Sequence, residues 1–305
     1  MRPVVVLVSA AVTAVLLTCA ALFASAGGDL VPGSAFPEVV PGSPGTPEPG
    51  YRPVVPDPRG NPSRPPHQPG PRAVDEIVRS ALVKAAGRST VSAQVFDRQS
   101  GTSLFEESAD RKFRSASLVK LMIAIDALAR GSERAGSTRM TQMLSLSHDD
   151  SASALWVAGG GGQIVRRIAE RLDLDAEPPQ PDGRWGNTMI SARDVVKIYD
   201  YVLDELPDAD SETIMRALRS APEIAADGFD QHFGIPRALD GLPWAIKQGW
   251  SAGGGSMELH TTGVIGDDDR FVVVVLTKTT GGAEWGWGSR MTTAATLALR
   301  PLLVR

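Results

Sequence analysis

Ser117 and Lys120 stand three residues apart at the head of a stretch that stays apolar on nearly every side as far as Leu128. Helical spacing puts residues i and i+3 on one face, close enough for a hydroxyl and an amine to hydrogen-bond. A helix apolar all round is a buried one, and lysine rarely enters such a helix unless it is paired. Burial disfavours the ammonium form. A neutral Lys120 could therefore take the Ser117 proton and leave an activated nucleophile, while the helix N-terminus favours the developing negative charge. An N-cap serine beside a salt-bridged lysine is the plainer account of the same two residues. The four-residue pattern alone does not separate the two readings.

Two further groups follow in chain order. Ser147-His148-Asp149 lies within Met143–Ala152, and Lys247-Gln248-Gly249-Trp250 lies near the end on a strand-like segment. In this order the three elements resemble the S-x-x-K, S-x-N and K-T-G motifs of serine β-lactamases and penicillin-binding proteins. The resemblance covers residues 73–305. It implies Ser117 as the acyl-forming nucleophile and Lys120 as its proton acceptor. Ser147 would hand the proton to the leaving nitrogen, and Asp149 would hold Lys120 from across the cleft. Lys247 would neutralise a substrate carboxylate and raise the acidity of Ser147. Gln248, Gly249 and Trp250 would bind substrate, and the backbone N–H groups of Ser117 and Trp250 would form an oxyanion hole.

Three departures qualify this. Asp149 carries a charge where the related motif has an amide, and a carboxylate near Lys120 favours its protonated form. Gln248 replaces threonine but keeps a side-chain donor. The loop 175–187 contains Glu177 as its only glutamate, in surroundings unlike those of the deacylating glutamate of class A enzymes. The implied protein is an exported serine hydrolase or acyl-transfer protein acting on β-lactam or D-alanyl-D-alanine-like amides through a Ser117 acyl-enzyme. The alternative is a catalytically weak relative kept as a cell-wall-binding or interaction module.

The elements that must position these residues read as an α+β domain: an antiparallel sheet flanked by N- and C-terminal helices, with an inserted helical lobe. Apolar spacing from Val74 to Ala85 marks a helix. Val91, Ala93 and Val95 alternate as a strand does, and a second strand follows around Leu104-Phe105. Helices are expected over Ser117–Arg130, Met140–Val157, Gln163–Leu172 and Ala192–Leu206. Strands are expected over Trp244–Ile246, Met257–Ile265 and Phe271–Leu276, and a closing helix over Arg290–Leu303.

Ahead of this domain, Arg2 precedes an apolar run from Val4 to Ala26, which describes a targeting segment over residues 1–26. A cleaved signal, a retained anchor, or a lipoprotein modified at Cys19 would all place the domain outside the cytoplasm, secreted or tethered to the envelope. Residues 27–72 hold 14 of the 23 prolines, clustered between Pro32 and Pro71, and read as a disordered or extended linker. Cys19 is the single cysteine, so the domain has no disulfide. The histidines show no metal-ligand spacing, and neither a metal nor a cofactor is expected. A net charge of −4 without a basic stripe argues against nucleic acid. The expected partner is a small molecule or a peptidoglycan stem peptide, with the domain monomeric and touching membrane only through its N-terminal segment.

Other patterns are weaker. Gly249–Gly253 matches G-x-S-x-G, but a glycine run follows Ser251 instead of the helix a nucleophile elbow needs. Gly159–Gly162 reads as a connection between helices. Asp267–Asp269 reads as a hairpin tip. The tryptophans of the C-terminal third are expected to pack in the core or along a cleft wall.

Overall fold

The computed structural model describes residues 71–180 and 183–304. The targeting segment expected over 1–26 and all but the end of the linker expected over 27–72 lie outside them. The first helix, α1 (Pro71–Ala86), starts at the last two linker positions. Proline suits a first turn, where an N–H would have no helical partner.

Strand β7 (Phe271–Thr280) explains the architecture best. Its residues Phe271-Val-Val-Val-Val-Leu276 are apolar without alternation, so both faces must be covered. Val272, Val274 and Leu276 enter one core, while Phe271, Val273 and Val275 enter another on the opposite face. This strand lies at the centre of a five-stranded antiparallel sheet in the order β2-β1-β7-β6-β5. The other strands are β1 (Thr90–Asp97), β2 (Thr102–Glu107), β5 (Trp244–Gly253) and β6 (Ser256–Ile265). The core containing Val273 is closed by α1 and by α9 (Trp285–Leu297). The core containing Val274 is closed by the helical lobe: α2 (Val119–Ala129), α3 (Thr138–Ser145), α4 (Asp149–Ala158), α5 (Gln163–Leu172), α6 (Ala192–Asp204) and α7 (Asp208–Arg219). The antiparallel sheet, flanking helices and inserted lobe are as the sequence predicts.

Several local expectations change. The helix expected over Met140–Val157 is two helices, α3 and α4, broken at Ser147, whose φ of 55° is left-handed. His148 caps α4 by accepting the Ser151 N–H, which lets a new helix begin. The closing helix starts earlier, at Trp285, and ends at Leu297; a 3-10 turn containing Pro301 follows. Helix α7 is an addition, as is the short α8 (Ile235–Ala238). The strand expected over Trp244–Ile246 runs on to Gly253 and carries the whole Lys247–Trp250 group on the edge of the sheet. A short pair, β3 (Phe113–Arg114) with β4 (Met189–Ile190), stands apart from the main sheet. No helix among the described residues is long and apolar enough to cross a membrane.

Candidate active site

Ser117 sits in a 3-10 turn, Ala116–Leu118, that leads into α2, and not on the α-helix itself. Ala116 takes a left-handed φ of 46°, a costly conformation for a residue with a Cβ. Strand β5 crosses close to this turn. A methyl group at Gly249 would stand 3.0 Å from the Ser115 carbonyl oxygen and 3.3 Å from Leu118, so a larger residue there would make these neighbours give way by a few tenths of an ångström. Ser117 is thereby held at the wall of an open cleft of ≈ 750 Å³, whose lining includes Asp149, Trp185, Asp227 and Trp250.

Below the cleft wall, two amines meet one hydroxyl. Lys120 Nζ, fully buried, donates to the Ser147 carbonyl at 2.6 Å, to Asp149 Oδ1 at 2.6 Å and to Ser147 Oγ at 3.2 Å. Lys247 Nζ, also buried, lies 3.1 Å from Ser147 Oγ and 3.0 Å from the Gln248 carbonyl. The break between α3 and α4 makes this convergence geometrically feasible, because the left-handed Ser147 turns both its carbonyl and its hydroxyl toward the amines. Burial lowers the Lys120 amine from its usual range, and the Asp149 carboxylate partly offsets that. Burial, then the neighbouring Lys120 charge, push the Lys247 amine well below the lysine range. No group of acidic, histidine or cysteine side chains suited to a metal ion occurs among the described residues.

The structure thus brings Ser147, Asp149, Lys120 and Lys247 together and sets Ser117, Asp149 and Trp250 on the cleft. Two expectations need correction. Ser117 makes no hydrogen bond with Lys120: the amine is taken by Asp149 and Ser147, acceptors that the spacing of 117 and 120 does not reveal. Gln248 does not offer its side-chain donor to a ligand. It is fully buried, its amide donates to the Gln231 carbonyl at 3.0 Å and the Phe233 carbonyl at 2.7 Å, and its oxygen accepts from Thr262 N–H.

Glu177 is remote in role as well as in motif. It pairs with Lys112 at 2.5 Å and is absent from the cleft lining. Residues 184–187 of the same loop do reach the cleft. Trp185 places its ring centroid 4.8 Å from Lys120 Nζ. Asp227, on the segment before α8, accepts the Trp250 indole N–H at 2.8 Å, and Trp250 stacks on Phe229. Neither Trp185 nor Asp227 carries a spacing signal that would single it out in the sequence.

The weaker patterns resolve simply. Ser251 lies on β5, and its hydroxyl bonds Glu258. His260 is buried, with Nδ1 accepting from Thr277 N–H and Nε2 bonded to the Arg114 carbonyl, so it cannot serve Ser251 as a base. Gly159–Gly162 joins α4 to α5, and Asp267–Asp269 turns β6 into β7.

The described domain adopts the fold of serine β-lactamases and penicillin-binding proteins. It matches a β-lactamase from Sphaerobacter thermophilus with a TM-score of 0.60 at 18% identity, covering 75% of this chain and 98% of that one. A structure of PBP-A matches with a TM-score of 0.59 at 14% identity, covering 75% and 96%. The TLA-1 extended-spectrum β-lactamase gives 0.62 at 12%, covering 76% and 99%. In sequence, the chain is similar to the protein named "Putative lipoprotein LppW" from Mycobacterium tuberculosis and from Mycobacterium bovis, at 36% identity over 211 residues. That alignment takes in 65% of this chain and spans 66% of the relative, just short of two thirds. No family model matches the sequence.

Proposed function

We propose that this chain is an envelope-located serine acyl-transfer protein that takes β-lactam or D-alanyl-D-alanine-like amides onto Ser117. The observation that carries this reading is the cluster Lys120–Ser147–Lys247 beside a serine held on a solvent-open cleft. Such a cluster can move a proton from a hydroxyl to an amine and back to a leaving nitrogen. Backbone N–H groups of Ser117 and Trp250 would stabilise the tetrahedral oxyanion. Glu177 is engaged by Lys112, and among the described residues of this loop no carboxylate lines the cleft to activate water, so the acyl group is released slowly. The lipoprotein description of the mycobacterial relative supports an envelope location, as does the apolar segment 4–26.

A second reading, a binding module without turnover, is favoured by the Asp149–Lys120 ion pair and by the absence of a Ser117–Lys120 bond. Fluorescent penicillin separates the two. Covalent labelling of wild type, with the matching mass increase and its loss in Ser117→Ala, is the expected result. Equal labelling of that variant, or none in wild type, sinks the acyl-transfer reading. Binding of peptidoglycan fragments that survives Ser117→Ala would support the module.

A further inference from the structure

This inference rests on the acyl-transfer reading and names the groups that space its reacting side chains. Ser147 stands at the break between α3 and α4, and Lys247 lies on β5. Their side chains meet at 3.1 Å, and among the described residues no other hydrogen bond joins residues 145–149 directly to β5. One contact between two side chains does not fix two elements, so their spacing must be set elsewhere.

The segment between α7 and α8, residues 220–234, makes the connection. Gln231 is its centre and is buried. Its side-chain amide donates to the Ser145 carbonyl at 2.9 Å and to the Pro222 carbonyl at 2.8 Å. The Gln231 carbonyl in turn accepts from the Gln248 side-chain amide, whose second N–H goes to the Phe233 carbonyl. A primary amide has two N–H donors, so each glutamine spends both on backbone carbonyls. A second strap runs beside the first. The Ala226 N–H donates to the Leu146 carbonyl at 2.8 Å, and the next residue, Asp227, accepts the Trp250 indole N–H. Residues 145 and 146 directly precede Ser147, and Gln248 directly follows Lys247. Two chains of hydrogen bonds therefore run from the end of α3 to β5 and bracket the Ser147–Lys247 contact. The inner chain is buried, where such bonds are strong and broken ones costly.

We infer that Gln231 and Gln248 are positioning residues, a clasp that holds Ser147 at working distance from Lys247. Gln248 serves the reaction from behind the strand, without touching substrate. The threonine of the related motif could not close this clasp, because its hydroxyl sits on Cβ, two carbons nearer the backbone than the glutamine amide.

Rapid-mixing kinetics of penicillin labelling on the whole chain, which separate binding from acylation, test this. Gln248→Thr supplies the residue that the related motif carries. It should nevertheless lower the acylation rate constant at saturation by ~10-fold or more, with penicillin affinity before acylation held within about threefold. Acylation at the wild-type rate, or a loss confined to affinity, overturns the clasp. Gln231→Met should lower the same constant, and the two changes together should lose no more than the larger single loss. Losses that multiply would mean that the two glutamines act separately and would also overturn it. If a buried variant does not fold, the exposed Asp227 provides the test through the second strap. Asp227→Ala should slow acylation, and Asp227→Asn, which keeps an oxygen for the Trp250 N–H, should restore most of the rate. Equal loss in both variants would point to charge and against the clasp. A wild type that never acylates sinks the proposed function, and a crystal structure of Gln248→Thr then tests the clasp alone. Ser147 Oγ should lie beyond hydrogen-bond reach of Lys247 Nζ, and an unchanged contact overturns the inference.

Discussion

At the scale of single residues, the fate of a polar side chain depends on which neighbours reach it first. Gln248 and Lys247 are adjacent on β5, and both are buried. Strand geometry sends successive side chains to opposite faces. Lys247 meets the Ser147 hydroxyl, while Gln248 is absorbed by the carbonyls of Gln231 and Phe233. His260 is likewise structural, joining β6 to the Arg114 carbonyl and the Thr277 N–H. Burial holds its pKa below the usual histidine value. The folded state therefore binds this proton less readily than the unfolded state, so its contribution to stability is present above the unfolded pKa and is lost as pH falls. Denaturant unfolding measured over a pH series should show stability declining below about pH 6.5, with a His260 share of up to ~1.4 kcal/mol per pH unit. His260→Gln should flatten that decline, and an unchanged slope would refute the assignment.

At the scale of elements, the site depends on how closely an edge strand approaches a short turn. The methyl of Gly249→Ala would press on the Ser115 carbonyl and the Leu118 side chain, forcing β5 away from the turn that carries Ser117. Overpacking of this kind costs roughly 1–3 kcal/mol. Because the displaced elements hold the nucleophile and the Lys247 amine, penicillin labelling should fall by at least about tenfold in a variant that still unfolds cooperatively. A 1 Å misplacement is known to cost on the order of 100-fold in such chemistry. Labelling at the wild-type rate would show that the approach does not position the site.

The same elements show what the sequence could reveal. The buried α2, the alternating β1 and the unbroken apolar run of β7 follow from periodicity, and the three chemical groups follow from residue type and order. The break at Ser147 was not legible, because Met140–Val157 is helical in pattern throughout and the interruption comes from a left-handed serine tied to Lys120 by tertiary contact. Asp227 and Trp185 were hidden for a related reason. Their roles come from segments folded over the cleft, which leave no local period.

At the scale of the whole molecule, stability rests on two cores sharing one central strand. Val273 and Val274 are sequence neighbours in different cores. Truncating either to alanine should cost about 1–3 kcal/mol by leaving a void. Both losses should appear in a single cooperative transition, because β7 carries each core. Chemical denaturation followed by near-UV and far-UV circular dichroism checks this. Two separated transitions in either variant would mean that the helical lobe and the sheet unfold independently.

The position of β7 also bears on biosynthesis. Residues 90–97 of β1 pair with residues 271–278, so the first strand made waits for one of the last before the sheet can close. A nascent chain emerging from the ribosome keeps the β1–β2 hairpin and much of the helical lobe without their central partner until translation is nearly finished. Long-range pairing of this kind delays folding and prolongs exposure of apolar surface. Under the envelope location proposed above, that delay would keep the chain threadable through a secretion channel until its C-terminal strands arrive.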